Sequence, residues 1–284
     1  MCNQGKGKTM LRKIFGLAIV AAVCSGSSAW ADECKPAHQF KTVEAGKVTV
    51  AIYEYPPFTT ASPDGTTIGG VDSDIVKRFA AANCLAITAV VVDPAATVQY
   101  VVSGKADVAT GDWYRTAERA KVMGLSYPTY LDQMGIYSKT GISKVEDLIG
   151  KKVGTVSGFL WVAELQKLLG SNLVLYPNPV ALAQDLGARR IEAAVDAYAT
   201  GVYAQKRGGY PGIQIKVAEP DQRVQASIQA AQANIIYSKS NPEFGAALDD
   251  TIQQLHKNGG MAEILKSHEL DPSGAEVGEP RPVQ

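Results

Sequence analysis

Apolar and polar positions along the chain recur in one order: a short β-prone run, an amphipathic helix, then another β-prone run. Residues 47–51 (KVTVA) read as a strand with Val48 and Val50 on one face. Pro56-Pro57 ends it, because proline supplies no N–H to a ladder and cannot sit inside a helix. Asp64-Gly65 and Gly69-Gly70 signal turns. A helix to about Asn83 follows, with Asp72, Ser73 or Asp74 as its N-cap and Ile75, Val76, Phe79 and Ala80 on its buried face. Residues 86–92 (AITAVVV) form an unbroken apolar run, as in a strand covered on both faces. Strand, helix, strand at this spacing is a βαβ unit.

The same order returns further on. Residues 151–156 (KKVGTV) read as a strand, Ser157-Gly158 as a turn, and residues 159–169 as a helix ended by Gly170, with a strand over 173–176. In each half a helix then runs into a basic turn and a short buried strand, at 104–109 (GKADVA) and 189–194 (RRIEAA). Aligning Asp107 with Glu192 sets Gly111 opposite Asp196. Both follow the carboxyl end of a strand, where open α/β sheets bind ligands.

The tetrapeptide Ile136-Tyr137-Ser138-Lys139 also recurs, as Ile236-Tyr237-Ser238-Lys239. The copies bracket one α/β segment, with more α/β sequence on either side. A chain that leaves one lobe by a strand, builds a second and returns by a similar strand encloses a cleft, and clefts between domains bind small ligands. The predicted fold is α/β, with two lobes joined by two hinge strands around the repeats. Residues 32–136 and 237–271 make the first lobe and 137–236 the second. Helices are expected over 243–257 and 261–267, and residues 272–284, with several Pro and Gly, read as a disordered tail.

Composition narrows the function. Hydrophobic residues are 46% and charged ones 20%, ordinary for a globular protein, and the net charge is zero. Nothing in the charge balance points to nucleic acid or an anionic membrane. Lys6, Lys8, Arg12 and Lys13 precede an apolar run over 14–23, and Ala29-Trp30-Ala31 follows. That is the layout of a secretory signal peptide over residues 1–31. A membrane anchor is the alternative, although the run is short for a span. A lipoprotein site at Cys24 is disfavoured by Val23. Cleavage after Ala31 leaves 24 basic and 28 acidic residues, with Cys34 and Cys84 as the cysteines of the exported chain. In an oxidising compartment two cysteines most simply pair, with two buried thiols as the alternative.

Candidate chemistry clusters at the predicted strand ends. Arg119, in Thr116-Ala117-Glu118-Arg119, reads either as part of a capped surface turn or as a planar fork gripping a carboxylate. Ser157-Gly158-Phe159 precedes a predicted helix, whose free N–H groups attract anions, or is an ordinary turn. Asp196 suits an ammonium group or caps the next helix. Tyr53, Tyr55, Phe58, Trp113, Tyr114, Phe159 and Trp161 lie near strand ends, as core or as a ligand platform. The three histidines lack metal-ligand spacing, and no nucleophile elbow, P-loop or dinucleotide fingerprint is present. No cofactor or metal is expected.

The chain resembles the family 3 extracellular solute-binding proteins, periplasmic receptors of amino-acid-type ABC importers. The resemblance runs from about Gly46 to Asp271. It is carried by Pro56-Pro57-Phe58, the stretch 69–75 (GGVDSDI), Gly104-Lys105-Ala106-Asp107 and Thr116-Ala117-Glu118-Arg119. It continues through 126–130 (SYPTY), 147–154 (DLIGKKVG) and Ala194-Val195-Asp196-Ala197. It implies the type II two-lobed periplasmic-binding-protein fold, a monomer in the periplasm, a small polar ligand and an inner-membrane permease as partner. It also implies that Arg119 binds a substrate carboxylate, that Asp196 binds its ammonium, and that Tyr55 stacks on the ligand.

Two departures matter. Gly158-Phe159-Leu160 stands where the family often has a hydroxyl after the glycine, and Gly111-Asp112-Trp113-Tyr114 stands where small residues are usual. Bulky aromatic and acidic groups thus replace small hydroxyls, and Asp112 and Glu54 suit a cationic ligand, with the aromatics suiting a flat or quaternary-ammonium one. The expected ligand-binding residues are Tyr55, Phe58, Gly111, Asp112, Trp113, Tyr114, Arg119, Gly158, Phe159 and Asp196. An enzyme on the same fold, of the periplasmic dehydratase kind, is the competing class and would rely on Glu54 or Asp112. A sensor fused to an output domain is not expected after Asp271.

Overall fold

The structure is a computed structural model and describes residues 34–281. The signal peptide read over residues 1–31 lies outside the described residues. Cys34 and Cys84 are both disulfide-bonded.

The first part of the chain forms β1 (Lys47–Ile52), the short pair β2 (Thr60–Ala61) and β3 (Ile68–Gly69), α1 (Val71–Ala82) and β4 (Ala86–Val91). Next come α2 (Pro94–Val102), β5 (Val108–Tyr114), α3 (Ala117–Val122), β6 (Gly124–Leu125) and β7 (Leu131–Asp132). The middle part forms β8 (Met134–Ser138), β9 (Val153–Val156), α4 (Val162–Leu169), β10 (Leu173–Tyr176) and α5 (Pro179–Gly187). It ends with β11 (Ala193–Ala197), α6 (Tyr198–Lys206) and β12 (Gln214–Val217). The last part returns as β13 (Ala231–Tyr237), α7 (Pro242–Lys257) and α8 (Gly260–Ser267).

Two mixed sheets result. The first runs β4-β1-β5-β13-β6, with β7 also paired to β13, and the second runs β10-β9-β11-β8-β12. In each, three parallel strands are followed by one antiparallel strand, β13 in the first and β8 in the second. The parallel strands are short apolar runs, and the connecting helices cover them. α1, for example, buries Ile75, Val76, Phe79 and Ala80, spaced along one helical face. Phe79 meets Phe244 of α7 with ring centroids 4.9 Å apart.

The IYSK repeat marks the antiparallel strand in each sheet. Tyr137 on β8 and Tyr237 on β13 each lie across a helix glycine. A Cβ on Gly201 of α6 would stand 2.4 Å from Tyr137 Cζ, and one on Gly245 of α7 would stand 2.2 Å from Tyr237 Cζ. The repeat is not where the chain changes sheet. It crosses from the first sheet to the second between Asp132 and Met134, and back between Val217 and Ala231. The boundaries expected at 136/137 and 236/237 therefore fall inside strands. A β-prone tetrapeptide marks the strand it belongs to, and the connection on either side carries no such signal.

Other expectations are corrected. Gly70, not an acidic residue, occupies the N-cap of α1, and it has no side-chain cap. β4 is an edge strand with Val91 43% exposed, not a strand covered on both faces. The helix expected from Phe159 begins at Val162. The segment 272–281, expected to be disordered, is packed. It forms a turn of 3₁₀ helix over Pro272–Ala275 and buries Val277. Buried Gln232 on β13 donates to Val277 O and Glu279 O and accepts from Arg281 N. One polar side chain in a strand thus captures three backbone groups of the tail, an interaction that local composition does not reveal.

Candidate functional site

The site forms where the carboxyl ends of β1 and β5 in the first sheet face those of β9 and β11 in the second. Gly111 and Asp112 bend β5 at its middle, both with positive φ (134° and 55°). Only glycine fits at 111, since a Cβ there would lie 2.2 Å from the Tyr53 ring. Asp tolerates the left-handed conformation better than most side chains. The bend turns two backbone N–H groups toward Asp72 on α1, whose Oδ2 accepts from Gly111 N at 2.8 Å and Asp112 N at 2.9 Å. Tyr130 donates to the other oxygen of Asp72 at 2.7 Å, and Tyr53 donates to Gly111 O at 2.7 Å.

Asp112 is buried by this bend, and its Oδ1 has no hydrogen-bond partner among the described residues. Its carboxyl group pairs with that of Asp132, which also accepts from Gln133 N at 2.7 Å. Two carboxyls in contact disfavour each other's ionisation. Burial, then the charge of Asp132, pushes the Asp112 carboxyl well above its usual range, and burial raises Asp132 to about 6.

Arg119 is positioned by α3, where the Thr116 hydroxyl accepts from Arg119 N at 3.1 Å. The motif therefore opens a capped helix, as one of its two readings expected. The half-buried guanidinium donates to Tyr114 O at 2.6 Å and, across the cleft, to Gly158 O at 3.4 Å. It lies over the Trp113 ring at 4.7 Å. Desolvation draws its pKa down to about 10, so it stays charged at neutral pH.

Asp196 lies inside β11 and is fully buried. Its Oδ1 accepts from Tyr55 OH at 2.5 Å and from Ala197 N at 2.8 Å, while Oδ2 has no partner among the described residues. Burial lifts its pKa to about 7 against the pull of those hydrogen bonds. Beside it, Trp161 Nε1 donates to Thr155 Oγ1 at 2.7 Å, fixing the ring on the second wall. Tyr55 and Phe159 meet edge to face across the cleft at 5.8 Å, and Phe159 meets Trp161 at 5.5 Å. The space these walls enclose is about 20 Å³, room for about one water molecule. A larger solute requires the walls to part.

A model of the bacterial extracellular solute-binding proteins, family 3, matches residues 48–270. The chain belongs to that family. No curated protein sequence matches it. Among solved structures, this family 3 protein is similar to the amino acid ABC transporter substrate-binding protein AbpA from Streptococcus pneumoniae bound to L-arginine. The two are 25% identical over 78% of this chain and 94% of the other, with a TM-score of 0.69. It also shares its fold with the arginine-, lysine-, histidine-binding protein ArtJ from Geobacillus stearothermophilus (20% identity, 78% and 94% coverage, TM-score 0.67). A third likeness is to a mutant of ArgBP from T. maritima (22% identity, 79% and 95% coverage, TM-score 0.68).

In this family 3 chain the residues Tyr55, Gly111, Asp112, Trp113, Tyr114, Arg119 and Phe159 line one small cleft, with Asp196 bonded to Tyr55 at its edge. Phe58 is not among them. It is fully buried and stacks on Tyr130 at 5.1 Å, behind Tyr55. Gly158 contributes its carbonyl to Arg119, and no helix N-terminus opens at Phe159 because α4 starts three residues later. Glu54 faces away, accepting from Ala61 N at 2.7 Å. Sequence reasoning missed Asp132 and Tyr130 and took Asp72 for a helix cap. Their partners are distant in sequence, and the positive φ at Asp112 that aligns them has no local signature. No cluster able to hold a metal ion is found among the described residues.

Proposed function

We propose that this protein is the periplasmic receptor of an ABC importer, a monomer that closes on a small cationic solute and presents it unchanged to an inner-membrane permease. The hydrogen bond from Tyr55 OH to Asp196 Oδ1 carries the reading. It joins a residue leaving the first sheet to one in the second, beside two buried carboxylate oxygens that lack partners. A solute held by both walls binds the closed form better than the open one, which is the differential affinity that closure requires. The cation preference is supported by four buried carboxyls, at Asp72, Asp112, Asp132 and Asp196, near one guanidinium. It is also in keeping with the arginine, lysine and histidine named for the similar structures.

A thermal-shift screen against amino acids, amines and quaternary ammonium compounds tests the reading. A ligand at 100 times its Kd stabilises by about 2.7 kcal/mol, and small-angle scattering at that concentration should show a smaller radius of gyration. No stabilisation by any of these solutes contradicts it. One observation favours an enzyme instead: burial and the neighbouring Asp132 push the Asp112 carboxyl well above its usual range, toward the form that donates a proton. Mass spectrometry of the bound solute after prolonged incubation separates the two, since a receptor returns it unaltered.

A further inference from the structure

We infer that the groove between α5 and α6 on the second sheet is a binding site of its own, separate from the cleft, for an amphipathic anion: an unbranched alkyl chain with a small anionic head group. The inference goes beyond the receptor reading and stands independently of it.

α5 and α6 lie on one face of the second sheet, where Leu182 and Leu186 of α5 and Val202 of α6 pack with Tyr137, Ala194 and Ile215. Small residues leave a gap between the two helices: Ala183 and Gly187 on α5 and Ala204 on α6 line it. A Cβ on Gly187 would meet no atom within 4 Å. The groove holds about 800 Å³, against about 20 Å³ in the cleft. Small-molecule sites usually span roughly 300–1,000 Å³ and are mainly apolar with a few placed polar groups. Here Val180, Leu186, Ile191 and Ile213 supply apolar lining, and Val180 is 55% exposed. An alkyl chain laid along them removes that surface from water. Tyr210 walls the groove with a left-handed φ of 51°, which bulky side chains rarely adopt, and its ring meets Tyr137 edge to face at 5.2 Å. Thr200 also lines it, and its buried Oγ1 has no hydrogen-bond partner among the described residues.

One end of the groove is basic. Lys139 follows β8, Lys151 precedes β9 and Arg189 precedes β11. The strand register sets these three ends side by side, since Ala193 of β11 pairs with Ser138 of β8 and with Val153 of β9. All three cations line the groove. None of them forms an ion pair among the described residues. Glu192 is the acid at that end, and its Oε1 accepts from Lys152 N at 3.1 Å. Glu54 borders the groove at the carboxyl ends of the strands, beside Tyr55. An anionic head group placed at the basic end gains charge-assisted hydrogen bonds there. Its chain then runs along the apolar lining, and each buried methylene adds to affinity. A cationic head group on the same chain meets like charge.

Calorimetric titration of the purified protein with decanoate, butyrate and decyltrimethylammonium, each below its micelle concentration, tests this. Decanoate is expected to bind at least about ten-fold more tightly than either of the others, the first comparison reading the chain and the second the charge. Ala183→Trp fills the groove, and the double variant Lys139→Glu/Arg189→Glu reverses the charge of its basic end. Each is expected to weaken decanoate binding at least about ten-fold; if one fails to fold by circular dichroism, the other is read. Equal affinity for the two ten-carbon compounds, or for decanoate and butyrate, overturns the inference, as does silence from decanoate. Wild-type decanoate affinity in the groove variants also overturns it. If Arg119→Ala abolishes that binding instead, the head group sits in the cleft and not in the groove. All of these failures leave the receptor reading untouched.

Discussion

Asp196 sits where burial and hydrogen bonding pull in opposite directions, and burial wins. Its carboxyl titrates at about 7 in the folded protein, against 3.8 for the free side chain. A raised carboxyl pKa means that folding favours the protonated form. The stabilisation is complete below about pH 4 and is lost as pH rises through about 7. The solute-free protein should therefore melt several degrees lower at pH 8 than at pH 5, and Asp196→Asn should flatten that difference. Thermal melts of both proteins across this range check it, and an unchanged slope in the variant would assign the effect elsewhere. Cation binding has the reverse dependence. The cation needs the carboxylate ionised, so affinity should rise from pH 5 to pH 8 with release of a proton. At this scale the sequence pointed to Asp196, Arg119 and Tyr55 through short motifs. It was silent on Asp132, because Asp132 acts through Asp112, which is brought to it only by the bend within β5.

At the scale of elements, the repeat that drew attention to two equivalent halves has a packing role. Tyr137 and Tyr237 each press a ring against a helix glycine, Gly201 of α6 and Gly245 of α7. Gly201→Ala and Gly245→Ala should each destabilise by about 1–3 kcal/mol, the usual cost of overpacking a tight core, with urea denaturation as the measurement. Glycine→alanine inside a helix normally stabilises, so a gain in stability would mean that the rings are free to move aside. The strands and helices themselves were legible because apolar spacing sets them directly, as at β1, β10 and α7. Edge exposure of β4 was not, since an apolar run looks alike at the centre and edge of a sheet. The packed tail was missed for another reason: Gln232 reaches across from β13 to residues 277–281. Gln232→Ala should leave those backbone groups without their partner and make the segment after Pro272 sensitive to limited proteolysis. Equal protease resistance in wild type and variant would show that Val277 and the 3₁₀ turn hold the tail without it.

On the scale of the whole molecule, two mixed sheets bring one acidic and aromatic wall against another. The chain changes sheet at residues 132–134 and 217–231, and these crossings, not the repeats, are the proposed hinges. Two lobes could be read from the doubled βαβ order, but the sites of crossing could not, since a connection between sheets needs no particular residue pattern. The account's central claim is that a cation is captured jointly by both walls. Calorimetry with the most stabilising solute of the thermal-shift screen, on wild type and on Asp196→Asn, tests it most directly. Removing one partner of a buried charge pair typically costs about 2–5 kcal/mol. The account therefore predicts affinity at least about 30-fold weaker in the variant, with the fold preserved by circular dichroism. Wild-type affinity in Asp196→Asn would contradict it, because the second wall would then take no part in holding the solute.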